Sequence, residues 1–155
     1  MFEKMMVCLD GSKRAEQVVP YAAEQALRFG SRLVLVQVVT GTLAVPLTSG
    51  GAPAYTGEMV AEQLRLEANE AGRYLEEIAR SLQEKGLNVE TAVLQRPPVG
   101  EAIVKYARQS GIDLIALSTH GHSGLGRLVF GSVADHVLRH SGLPVLVIRP
   151  GENQS

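Results

Sequence analysis

The sequence predicts an α/β fold, a doubly wound parallel sheet of five strands with helices on both faces, and three observations carry that expectation. Short β-branched runs alternate with long amphipathic ones along the whole chain, which is the pattern of right-handed strand-helix-strand crossovers. The second short run, residues 33–39, is apolar at nearly every position apart from Gln37, as a parallel strand covered on both faces requires. Finally, 155 residues that are 45% hydrophobic and 20% charged suit one globular domain with an aliphatic core, and set aside disordered and fibrous architectures. The domain is expected over residues 1–150, with 151–155 as a tail.

Each element follows from local signals. Residues 5–9 read as the first strand. Asp10-Gly11-Ser12 comes next, where Ser12 is placed to cap a helix running to about Phe29, with Gly30 as its stop. After the second strand, residues 40–57 are rich in Gly, Pro and Thr and carry no charge. A structureless stretch of that length is uncommon in a compact domain, and it reads as a tolerated flexible loop, with a lid over a site as the alternative. From 58 to 85 the apolar positions Leu64, Ala68, Ala71, Leu75, Ile78 and Leu82 recur at spacings of four and three, marking one buried stripe on a long helix. Glu76 and Arg80 lie in i,i+4 order on its wet side, and Gly86 ends it. Residues 88–94 form a third strand, 100–109 a helix entered through Pro97-Pro98, and 112–117 a fourth strand. A glycine-rich turn leads to a helix over 132–140 and a fifth strand over 144–148.

Composition excludes several functions. Trp is absent and aromatic residues make up 5%, which removes the stacking platforms of single-stranded nucleic-acid binders. Fifteen basic against sixteen acidic residues leave a formal charge of -1, with no electrostatic footprint for nucleic acid or an anionic membrane. The single cysteine, Cys8, rules out a disulfide framework and a zinc ribbon, and its apolar surroundings suggest a buried, inert thiol in a reducing compartment. No 18-residue apolar stretch exists, and Glu3 and Lys4 interrupt the first residues, so neither a membrane span nor secretion is expected. The expected location is cytoplasmic.

The informative segment follows the fourth strand. Gly121, Gly124, Gly126 and Gly131 fall within eleven residues, where uniform scattering of the 16 glycines would place about one. In open α/β sheets ligands bind outside the carboxyl ends of the strands. A turn able to adopt positive φ there exposes backbone N–H groups as an anion nest, and the helix beginning at Gly131-Ser132 adds the positive end of its dipole. Several charge-assisted hydrogen bonds of about 1.5 to 3 kcal/mol each make a polyphosphate a credible ligand. A turn serving only tight strand-to-helix packing is the alternative. No lysine follows Gly131-Ser132, so this is not a Walker A loop, and Gly121-x-x-Gly124-x-Gly126 lacks the spacing of the dinucleotide fingerprint.

Ser118-Thr119-His120-Gly121, nine further residues, Gly131-Ser132, then Val133-Ala134-Asp135-His136-Val137-Leu138 and the terminal Pro144-Val145-Leu146-Val147-Ile148 resemble the universal stress protein family over almost the whole chain. Val7-Cys8-Leu9-Asp10-Gly11-Ser12 is similar to the family's first strand and to the acidic residue that meets adenosine. The resemblance implies a Rossmann-like sheet of strand order 3-2-1-4-5 and a site for ATP, with Mg²⁺. Leu9, Asp10, Gly11 and the backbone of Val38 would stand on the nucleoside side, and Ser118, His120, Gly121, Gly131, Ser132 and Val133 at the phosphates. The family's ATP-binding motif is Gly-x2-Gly-x9-Gly-Ser/Thr, and here Ser118 replaces the first glycine. Serine crowds a close phosphate more than glycine does, although its hydroxyl can also donate.

All four histidines lie between 120 and 140. His136 and His140 are one helical turn apart, a spacing that can hold a metal, but no glutamate accompanies them as in a metalloprotease, and surface or phosphate-adjacent roles are the expectation. Gly121-His122-Ser123-Gly124 lacks the final glycine of a nucleophile elbow, having Leu125 there. Thr48-Ser49-Gly50-Gly51 lacks the acidic-serine pair of an ATP-pyrophosphatase loop. Asp10 suits a ribose hydroxyl or a magnesium ion, or simply caps its own turn. Arg127 either screens phosphate charge or is solvated. Residues 144–148 are apolar and uncharged, and at a sheet edge they invite pairing. The family resemblance implies antiparallel pairing of this strand in a homodimer, against an intramolecular cover by the tail. Three readings follow: a dimeric ATP-binding regulatory module without catalytic residues, a slow ATPase or phosphotransferase using Asp10 with His120 or His122, and an interaction module that has lost its nucleotide.

Overall fold

The computed structural model of the chain describes residues 1–41, 55–95, 98–119 and 131–151. Its elements are β1 (Lys4–Leu9), α1 (Lys13–Glu16), α2 (Val19–Phe29), β2 (Arg32–Val38), α3 (Gly57–Gln83), β3 (Val89–Leu94), α4 (Val99–Gln109), β4 (Leu114–Ser118), α5 (Ser132–His140) and β5 (Val145–Ile148). The strands form one sheet in the order β3-β2-β1-β4-β5, every pair parallel. This is the expected doubly wound architecture.

Strand alternation divides the core between the two faces. Met5, Val7, Leu33 and Leu35 pack with Ala22 of α2 and Leu75 of α3 on one side. Met6, Val34, Val36 and Ile115 pack with Ile103 of α4 and Val137 of α5 on the other. Both faces of β1 and β2 are thus covered, which is why their sequences carry no polar alternation.

Two departures from the expected element boundaries have a local reason. The helix capped by Ser12 is broken into α1 and α2. Its cap forms as expected, the Ser12 hydroxyl accepting from the Ala15 N–H at 3.1 Å. Pro20, in the first turn of α2, offers no N–H to the Glu16 carbonyl, and its ring would clash with that carbonyl in a continuous helix. The fourth strand begins at Leu114 rather than 112, because Ile112 completes the stop of α4: Gly111 turns with φ 64 and the Ile112 N–H returns to the Ala107 carbonyl at 3.1 Å. Of the stripe on α3, Ala71, Leu75 and Leu82 are buried while Leu64, Ala68 and Ile78 are partly covered, and Ala79, outside the expected stripe, is buried as well. Gly86 ends that helix as expected, with φ 88 and a Leu87 N–H bond to the Leu82 carbonyl. Of the loop over 40–57, residues 42–54 lie outside the described residues, and Thr56 caps α3 by accepting from the Met59 N–H at 3.2 Å. No helix among the described residues is long and apolar enough to cross a membrane.

Candidate functional site

β1 and β4 lie side by side, and the chain leaves them toward opposite flanks, β1 toward β2 and β3, β4 toward β5. Their carboxyl ends therefore frame a crevice that no crossover fills. A cavity of about 390 Å³ opens there. Leu9 and Asp10 at the end of β1, Val38 of β2, Ser118 of β4, and Gly131, Ser132 and Val133 at the start of α5 all line it. Residues separated by up to 124 positions thus meet at one edge of the sheet, from Leu9 to Val133. Gly11 faces an adjoining polar depression against α3, which Asp10 and Val38 also line. His120 and Gly121 lie outside the described residues, as do His122, Gly124, Gly126 and Arg127.

Local chemistry fixes each visible group. Gly11 leaves β1 with φ 83, a turn that glycine makes without steric cost. Asp10 Oδ1 then accepts from both the N–H (2.9 Å) and the hydroxyl (2.6 Å) of Ser12. Asp10 is therefore a turn aspartate and a cavity wall at once. The Ser118 hydroxyl donates to the Arg14 carbonyl at 3.2 Å, joining the end of β4 to α1. Gly131 caps α5 without a side-chain bond, so the N–H groups of that first turn and the positive dipole end are presented at the cavity. Its φ of -54 and ψ of 159 are ordinary extended backbone, so the positive φ expected of the glycine-rich turn does not occur at this glycine.

The cavity floor was not singled out in the sequence. Cys8, Val36, Val99, Ile103 and Leu117 supply an apolar wall. The signal was present in the strand period, since Cys8 shares a face with Asp10 and Val36 with Val38, and in the four-residue spacing of Val99 and Ile103 on α4. Cys8 departs from the buried thiol expected of it: it is partly exposed, toward the cavity, although desolvation still pushes its thiol up to about 12. Asp10 is the one charged side chain among the described lining residues. No group of three or more metal-ligating side chains occurs among the described residues.

His136 and His140 stand apart from the cavity. Their rings stack at 4.2 Å with an interplanar angle of 23°, and His140 Nδ1 lies 2.9 Å from the His136 carbonyl oxygen. His136 packs against Gly100 of α4. A larger depression of about 600 Å³, beside β3 and α4, contains none of the candidate residues.

The fold and its crevice define a doubly wound α/β module with a ligand-sized cavity at the switch point of its sheet. The chain belongs to the universal stress protein family, whose model matches residues 1–149. It is 32% identical over 151 residues to universal stress protein YxiE of Bacillus subtilis, covering 96% of this chain and 100% of that protein. It is 30% identical over 149 residues to a universal stress protein of Methanocaldococcus jannaschii, covering 96% and 83%. A universal stress family protein from Burkholderia pseudomallei superimposes with a TM-score of 0.71 at 28% identity, covering 97% of each chain. Three more distant family structures hold nucleotides and share the fold. One is in complex with cAMP (TM-score 0.63, 21% identity, 97% and 98% covered). One from Arabidopsis thaliana has AMP bound (0.67, 16%, 97% and 94%). One from Archaeoglobus fulgidus is in complex with dAMP (0.62, 23%, 95% and 98%).

Proposed function

We propose that this protein binds ATP with Mg²⁺ in the crevice between β1 and β4 and acts as a cytoplasmic, dimeric regulatory module of the stress response. The observation that carries the reading is the convergence of an apolar wall, one carboxylate and an uncapped helix N-terminus on a single cavity of about 390 Å³. Family members with AMP, dAMP and cAMP supply the ligand class. The base lies against Val36, Val38, Val99 and Ile103, where apolar surface is removed from water. Asp10 accepts from a ribose hydroxyl. Phosphate oxygens take the N–H groups at the start of α5 together with the Ser132 hydroxyl. The oxygen donors around the cavity, Asp10 and the hydroxyls of Ser118, Thr119 and Ser132, suit a hard cation that keeps part of its water and shares the phosphates.

The dimer would form through β5. The Ile115 N–H bonds to the Pro144 carbonyl and the Thr119 N–H to the Ile148 carbonyl, so alternate backbone groups of β5, at Val145 and Val147, face away from β4. A second copy pairing antiparallel across a two-fold axis covers that apolar edge.

Denaturing freshly purified protein and analysing the supernatant tests the ligand. Released adenine nucleotide, restored on reloading the emptied protein, is the expected result. Protein that carries none and takes up none would leave an interaction module without nucleotide.

A further inference from the structure

We propose that Ser118 is a positioning residue that passes occupancy of the cavity to α1; the proposal rests on the nucleotide reading above. Ser118 lines the cavity together with the first turn of α5, and its hydroxyl donates to the Arg14 carbonyl at 3.2 Å. A hydroxyl has a single proton. A phosphate oxygen at the start of α5 is charged and accepts more strongly than a peptide carbonyl. Donation to the phosphate therefore withdraws the bond to Arg14.

Of the four residues of α1 only Ala15 is buried in the core, and beyond it the turn is held by the Lys13–Glu16 pair at its surface and by a few hydrogen bonds. Helices this short do not sustain themselves, and Pro20 separates α1 from the support of α2. Its backbone bonds at the far end, from Gln17 to the Arg14 carbonyl and from Val18 to the Ala15 carbonyl, are long at 3.3 Å each. Its near end depends on Ser12, whose hydroxyl accepts from the Ala15 N–H and donates to Asp10. Asp10 and Ser118 both line the cavity, so two wall residues hold α1, Asp10 through the Ser12 cap and Ser118 at the Arg14 carbonyl. Lys13 and Arg14 are exposed, and a loosening of this turn reaches the molecular surface directly. Glycine at position 118 would have no hydroxyl to make the link.

The test is amide hydrogen exchange at residues 15–18 in the full chain, nucleotide-free and saturated with ATP and Mg²⁺, with saturation established by calorimetry on the same samples. Exchange is expected to quicken roughly threefold to tenfold on saturation, the range for loss of one net hydrogen bond. Ser118→Ala should exchange at the quickened rate without nucleotide, and Ser118→Thr, which keeps the hydroxyl, should respond as the natural chain does. Binding with unchanged or slowed exchange at α1 overturns the proposal alone. So does a nucleotide-free Ser118→Ala chain that exchanges at the original rate. Absence of calorimetric binding overturns the nucleotide reading and the proposal with it.

Discussion

Gly100 and Gly72 show how one substitution takes opposite signs at two residues. A Cβ on Gly100 would lie 2.9 Å from Cβ, Cγ and Cδ2 of His136, so α4 and α5 would have to move apart. Gly100→Ala is expected to cost about 1 to 3 kcal/mol in denaturant unfolding. Gly72 of α3 has nothing within 4 Å of that position, and Gly72→Ala should stabilise by about 0.5 to 1 kcal/mol through backbone entropy. Equal effects at the two sites would mean that His136 does not press on α4. Cys8 gives a second residue-scale test. With its thiol pushed up to about 12, it should react slowly with alkylating reagents at pH 8 in the folded chain and rapidly once unfolded. Asp10 was legible because it ends the first strand at the edge of the sheet where ligands bind, with a turn role as the alternative. Its bonds from Ser12 match the turn role the sequence left open, whereas the reach of Ser118 to Arg14 was not legible, since it depends on how α1 packs across β4.

At the scale of elements, the strands and helix stops were readable because each rests on a local signal. The break between α1 and α2 was readable too, in Pro20, but the favourable Ser12 cap and the Gly30 stop argued for one helix. The start of β4 was not readable, because Ile112 is apolar enough for a strand and only its bond to Ala107 assigns it to the turn. Ser12→Ala removes the α1 cap and should cost about 1 kcal/mol. Glu67 of α3 gives a pH dependence. Its carboxylate is held below the usual range chiefly by the hydrogen bond from Gln63, which outweighs the opposing effect of burial, with further help from the backbone N–H groups of Gly41 and Thr40. A depressed acid contributes stability that is complete above its unfolded value and is lost as pH falls through its folded one. Melting temperatures of the natural chain and Glu67→Gln should therefore differ near neutrality and converge in acid. A difference that persists unchanged at low pH would contradict this assignment.

For the whole molecule, the doubly wound class was legible in the alternation of elements. The strand order was not: it came with the family resemblance, because no periodicity says which strand neighbours which. That order places the cavity, since only with β1 beside β4 do Asp10 and Ser118 face the start of α5. It also leaves β5 at an edge, and Val147→Lys should convert the proposed dimer to monomer in sedimentation. An unchanged mass would place any interface elsewhere. The central claim is the nucleotide site, and titrating ATP with Mg²⁺ by calorimetry into the nucleotide-free natural chain and Gly131→Val in parallel tests it most directly. Gly131 has backbone angles that valine can adopt, so the variant should fold, while its side chain obstructs approach to the N-terminus of α5. The expected result is saturable binding by the natural chain and none by the folded variant. No heat from the natural chain, or equal affinity in both, would contradict the site described here.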